Sequence, residues 1–209
     1  MKNLFCAFVL ISALTIVCAQ ETFKFPGMKC TDTVLLEKQL ALAPEGSYKV
    51  LLTAMVEYSK NPPQSFDEAK TVMFAAADSL NRSDKLEKDY FIKQYVLHTH
   101  QWLDELGAYC LDNPGRHDAN IAIRGYEQKK PWAKQMLVNM LTKYTLNPTK
   151  CIQCIDVLIE YNLSNEITNA EAKDILTKLD IRYTNQLAND KPKWEPVVTK
   201  IRTLLERYN

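Results

Sequence analysis

Cys151-Ile152-Gln153-Cys154 places two thiols three residues apart, a spacing that suits disulfide exchange, metal ligation or structural cross-linking. Disulfide exchange of the thioredoxin kind belongs beside a βαβ unit, which the patterning of this chain lacks. A zinc site needs four ligands, and only Cys30, Cys110, His98, His100 and His117 remain to complete one. His98 and His100 are two residues apart, so a helix points them about 200° apart and they do not ligate one ion as a pair. No metal and no cofactor are expected.

Cross-linking is the reading that fits the compartment. Lys2, the apolar stretch Leu4 to Val17 and the small-residue site Val17-Cys18-Ala19 have the anatomy of a secretory signal peptide, with residues 1–19 removed and 20–209 the mature domain. Removal takes Cys6 and Cys18 with it. Four cysteines remain, and outside the cell they read as two disulfides. Three pairings are open. Joining Cys151 to Cys154 constrains little, because one helix already holds them close. Joining Cys30 and Cys110 to the two members of the pair closes loops of about 40 and 120 residues, worth about 4 kcal/mol each on the chain-entropy model. Asn81-Arg82-Ser83 and Asn162-Leu163-Ser164 are N-glycosylation acceptors if exposed.

Catalytic groupings are scarce. The chain has no G-x-S-x-G elbow, H-E-x-x-H helix, P-loop or dinucleotide fingerprint. His117-Asp118 resembles the His-Asp pair of secreted phospholipases A2, without their Gly-rich calcium loop; Asp118 is expected to cap the following helix. Asp67, Glu68, Asp104 and Glu105 read as helix-start and solvated-face residues. Lys129, Lys130, Lys134 and Lys143 read as solvated helix surface. The chain is therefore expected not to be an enzyme.

Two short likenesses fall on the cysteines. Cys151-Ile152-Gln153-Cys154-Ile155-Asp156 resembles the opening of a saposin-like domain, without that family's downstream cysteines. Cys110, the Cys-x-x-Cys and Pro192-Lys193-Trp194 resemble insect chemosensory proteins, small helical carriers of apolar ligands, with different cysteine spacing. Each covers under half of the chain, and neither is adopted.

The elements that position these residues read as helices. Trp194, Val197, Val198, Ile201, Leu204, Leu205 and Tyr208 share one stripe, as do Trp132, Ala133, Met136, Leu137, Met140, Leu141 and Tyr144. Thr168 with Glu171 and Ser65 with Glu68 are capping boxes that open two further helices. From about Ser83 to Cys110, Phe91, Ile92, Tyr95, Val96, Thr99, Trp102, Leu103 and Leu106 form a single long stripe. Tyr48 to Tyr58 is apolar nearly all round, the mark of a central helix. Breaks such as Asn61-Pro62-Pro63-Gln64 are too short for interdomain linkers. The expected fold is all-α: a single-domain orthogonal or bundled array of about eight helices, disulfide-crosslinked.

Charge and composition narrow the function further. Lys and Arg number 26 against 25 Asp and Glu, so no global field attracts nucleic acid or anionic membranes. No segment reaches 18 uninterrupted apolar residues, so no membrane span is expected. Only five glycines are present, which argues against Gly-rich phosphate loops. The reading is a secreted, extracellular binding protein for a small apolar, lipid-like ligand held between helices. Met55, Tyr58, Phe91, Tyr95, His98 and Trp102 are the expected lining. The alternative is an extracellular effector or inhibitor that acts on another protein through its surface.

Overall fold

Apolar residues at helical spacing, with capping side chains at the breaks, fold this chain as helix after helix. The computed structural model describes residues 22–82, 84–115, 118–144, 146–162 and 167–208. Among them are ten α-helices and no strand: α1 (Thr33–Leu42), α2 (Ser47–Lys60), α3 (Phe66–Ser79), α4 (Lys85–Thr99), α5 (Leu103–Asp112), α6 (Asp118–Glu127), α7 (Ala133–Lys143), α8 (Pro148–Ile155), α9 (Asn169–Asn189) and α10 (Lys191–Glu206). One π-helical turn, Asp156–Glu160, continues α8. The signal-peptide residues 1–19 and His117 lie outside the described residues. No helix among the described residues is long and apolar enough to cross a membrane.

α2 is the central helix. Val50, Leu51, Leu52, Ala54, Met55, Val56 and Tyr58 are all buried, and α1, α3 and α4 pack around it. At the other end of the chain, α9 and α10 lie against each other across a single connecting residue, Asp190. Tyr183 stacks at 5.2 Å on Trp194 between them.

The helix count corrects the expectation of about eight, and one of the additional helices has a clear origin. The stripe from Ser83 to Cys110 is broken at residues 100–102, where His100 ends α4 in the left-handed region (φ 64°) and Trp102 does the same before α5 (φ 54°). Thr99, Trp102, Leu103 and Leu106 keep the helical period across the break, so the pattern hides it.

The expected disulfide cross-links are also corrected. Cys30, Cys110, Cys151 and Cys154 are all free. The core closes through helix packing, and three of the four sulfurs are buried within it. Cys110 lies against Asp118, whereas Cys151 lies against Tyr183. Burial pushes the Cys151 thiol up to about 11, and burial with the neighbouring Cys151 pushes Cys154 up to about 12. Buried thiols of this kind stay protonated at neutral pH and are poor nucleophiles.

The two capping boxes differ. At α9 the box is complete: Thr168 Oγ1 accepts from Glu171 N at 3.2 Å, and Glu171 Oε2 accepts from Thr168 N at 2.9 Å. At α3 the Ser65 half is made, but Glu68 accepts from Gln64 N instead of the cap residue. The Thr168 backbone N–H, then Lys134 and the Thr168 hydroxyl, hold the Glu171 carboxyl down at about 2, below its ordinary 4.5. A depressed carboxylate contributes stability that is present above 4.5 and is lost as pH falls from there through about 2. Urea midpoints measured across that window should therefore fall in the native protein and fall less in Glu171→Gln. Thr168→Ala should cost about 1 kcal/mol at neutral pH.

Trp132, just before α7, fastens three helices. Its indole lies directly over Gly107 of α5 and Gly125 of α6, so closely that a β-carbon at either glycine would fall 2.2 Å and 2.3 Å from ring atoms. Its Nε1 donates to Asp104 Oδ1 at 2.9 Å, and Lys130 pairs with the other oxygen of that carboxylate at 2.6 Å. Lys130 and Lys134, read from the sequence as solvated surface, are thus ion-paired, the latter with Glu171 at 2.9 Å.

Candidate functional site

The break at residues 100–102 shapes a cleft. Trp102 there faces the end of α2, the Pro62-Pro63 turn and the Met28–Thr31 segment, which begins in a turn closed by Cys30 N donating to the Gly27 carbonyl at 3.2 Å; together they border a space of about 420 Å³. That is within the range of small-molecule sites, roughly 300–1,000 Å³. The segment before α1 is pinned in place by Phe23 and Phe25, which pack on Tyr48 at 5.5 and 5.0 Å, and by Lys24 N, which donates to Gln39 Oε1 at 2.6 Å.

Tyr58 and Tyr95 form the aromatic wall, with centroids 4.9 Å apart and planes tilted by 57°. Tyr58 Oη donates to the Ala69 carbonyl at 2.6 Å, which fixes the ring. Burial, with Tyr95 adding to it, pushes the Tyr58 phenol above its usual range, and burial does the same to Tyr95. Both therefore stay neutral. Two hydroxyls at the rim are committed as donors, Ser59 Oγ to the Val56 carbonyl at 2.8 Å and Thr99 Oγ1 to the Tyr95 carbonyl at 2.9 Å, while Lys29, Thr31 and Gln101 supply further polar lining. What faces the space is mainly aromatic ring, thioether and proline, with Cys30 half-buried among them.

Trp102 is the strained member. A left-handed backbone at a bulky non-glycine residue costs about 1–3 kcal/mol and persists only where its surroundings impose it. Here it turns the chain so that the indole borders this cleft and also a second depression containing Phe66 and Tyr109.

Of the six residues expected to line a ligand site, the structure brings Met55, Tyr58, Tyr95 and Trp102 together on this cleft. Phe91 is fully buried behind it. His98 is elsewhere, on a separate cleft between α4, α6 and α8. The reason is angular: on α4, His98 follows Tyr95 by three residues but lies toward Gln94 and Leu97, on the flank away from α2. Met28, Cys30 and the two prolines were not foreseen, because turns carry no periodicity that marks a wall.

A buried polar cluster was missed as well. Lys93 Nζ pairs with Asp118 Oδ1 at 2.6 Å, with side chains 4% and 0% exposed, and Gly115 N donates to the other oxygen at 2.7 Å. Tyr109 Oη donates to buried Asp89 at 2.6 Å. Asp118, expected to cap α6, instead joins α6 to α4. Burial raises its carboxyl, against the pull of Lys93 and the Gly115 N–H. Burial, reinforced by Asp118, also raises the Cys110 thiol. With Asp89, Lys93 and Asp118 buried, the cluster is a joint between helices.

Among the described residues, no group of three or more His, Cys, Asp or Glu side chains is placed to hold a metal. At the glycosylation triplets, Asn81 is exposed in a left-handed turn. Asn162 is tied in: its Nδ2, the atom that would carry a glycan, donates to the Ile167 carbonyl at 3.0 Å, and its Oδ1 accepts from Tyr126 Oη at 3.2 Å.

Compared with known protein families, curated proteins and solved structures, the chain matches none.

Proposed function

We propose that the protein is a secreted carrier that binds a small apolar molecule in the cleft walled by Met28, Met55, Tyr58, Tyr95 and Trp102. The observation that carries the reading is Trp102: an aromatic residue held in a strained backbone conformation so that its ring closes an aromatic- and thioether-lined space of about 420 Å³. Ser59 and Thr99 are already bonded to backbone carbonyls, and aromatic, thioether and proline groups outweigh Lys29, Thr31 and Gln101 in the lining, so the cleft favours a mainly apolar ligand. The tyrosines are neutral at physiological pH and act as surface, not as acid or base. Export rests on the leader-like residues 1–19. Asn81 is the better glycan acceptor of the two, since the amide of Asn162 is committed.

The alternative, action on a protein through the surface, has less behind it. Of the most exposed large apolar side chains, Val34, Leu86 and Ile181 lie on α1, α4 and α9, and Tyr161 follows the π-helical turn.

Cys30 makes the test direct, because it lines the cleft and is only half-buried. N-phenyl-1-naphthylamine, a neutral fluorescent probe, should bind with enhanced emission and should slow alkylation of Cys30 by iodoacetamide. Met28→Lys places a charge in the cleft from a non-helical segment and should weaken probe binding about tenfold or more, a change of ~1.4 kcal/mol. Unaltered Cys30 labelling at saturating probe, with equal affinity in the variant, removes the reading.

A further inference from the structure

We infer that the cleft between α4, α6 and α8 is a second binding site, independent of the first, and that it takes a small organic anion with an apolar body.

Three helices each give it a face at helical spacing. α4 contributes Gln94, Leu97 and His98, and α6 contributes Asn120, Ile123, Arg124 and Glu127. The third face runs from Lys150 and Gln153 through the π-helical turn to Val157 and Tyr161. The turn is closed by a Tyr161 N to Asp156 O bond at 2.8 Å, and such π-bulges recur at functional sites. Together the faces enclose about 530 Å³.

The lining sorts by chemistry. Leu97, Ile123 and Val157 are half-buried against the core and give the space its apolar part. Arg124, Lys150 and His98 stand around them, and Tyr161 adds an exposed ring. The acids are largely answered. Asp156 is paired with Lys200 of α10 at 2.8 Å, and Glu160, in the same turn, is held by Lys200 and by Arg207. Those two acids and two bases balance. Glu127 holds Arg124 at 3.2 Å, but both side chains are 40% or more exposed, so the pair is weak. Lys150 Nζ donates to the neutral Gln153 amide at 2.8 Å. The cleft is thus left with one uncompensated cation, and a histidine, over an apolar floor. Such a lining recognises a carboxylate, sulfonate or phosphate carried on a small apolar group.

The test uses two probes that differ in charge. 8-Anilino-1-naphthalenesulfonate carries a sulfonate on nearly the same aromatic body as neutral N-phenyl-1-naphthylamine. Arg124→Glu combined with Lys150→Glu should weaken binding of the sulfonate about tenfold or more, because two nearby charges change sign. Binding of the neutral probe should stay within about twofold. Arg124→Lys should retain sulfonate binding, and added salt should weaken it. Helical circular dichroism and melting of the double variant should match the native protein, since both substituted side chains reach solvent. The inference is overturned if the double variant binds the sulfonate with native affinity, or if the two probes compete for one site. Failure of Met28→Lys to affect the neutral probe bears only on the first cleft.

Discussion

Gly107→Ala and Gly125→Ala are each expected to destabilise the protein by about 2 kcal/mol, even though alanine is the better helix former. Each glycine is inside a helix, where alanine alone would add about 1 kcal/mol of stability. The added methyl group, however, would sit 2.2–2.9 Å from atoms of the Trp132 indole. That ring has little room to yield, since it is wedged between two helices and tied through Nε1 to Asp104. Overpacking of this kind costs about 1–3 kcal/mol, and complete loss of the indole, in Trp132→Ala, about 3–5 kcal/mol. For a domain of this size each kcal/mol lowers the melting temperature by about 2–4 °C. The decisive measurement is a double-mutant cycle by urea denaturation. With Trp132→Ala already present, Gly107→Ala should become neutral or stabilising, because the clash partner is gone. Additive losses would show that the ring is not the cause.

Asp118→Ala is expected to be among the most damaging single changes, at about 3–5 kcal/mol, because it leaves the Lys93 ammonium buried without its partner. Lys93→Met leaves the opposite charge stranded. Asp118 then keeps only the Gly115 N–H and Cys110 beside it, and its carboxyl, already raised by burial, rises further. A raised carboxyl is stabilising where it is protonated, so that contribution is full below its unfolded value and is lost as pH climbs through the folded one. The deficit of Lys93→Met relative to the native protein should therefore shrink on acidification. Lys93→Met with Asp118→Leu should recover most of the loss at neutral pH, since apolar residues often replace a buried pair without cost. Urea denaturation of the three variants at neutral and acid pH checks all of this; a double variant no better than its parents would contradict it.

These two features differ in how far the sequence shows them. The all-helical architecture was legible, because α2, α7, α9 and α10 carry stripes that only a helix satisfies, and the α9 capping box formed as the residues implied. Asp89 and Lys93 were not recognised as core, because an acid and a base four apart read as a solvated i,i+4 pair. Their true partners come from other helices. The turn at His100–Trp102 was missed because neither glycine nor proline marks it. Trp132 was read as stripe, with no local signal that two glycines far along the chain make room for it. Four of the six expected lining residues meet at one cleft because Tyr95 and Trp102 keep to the stripe that faces Met55 and Tyr58 of α2, while His98 sits just off that stripe and lines another cleft.

The single-residue joint at Asp190 bears on the order in which the molecule assembles. Two neighbouring helices joined by one residue come together at almost no loop-closure cost, which rises with the length of chain enclosed. Met28 and Trp102, by contrast, meet only after α1 to α4 are in place. The C-terminal hairpin is therefore expected to form early and the first cleft late. Segments outside regular helices with few buried apolar contacts open at least cost in the native state. A molecule could enter beneath the Met28–Thr31 segment through a local fluctuation, while the C-terminal hairpin stays closed.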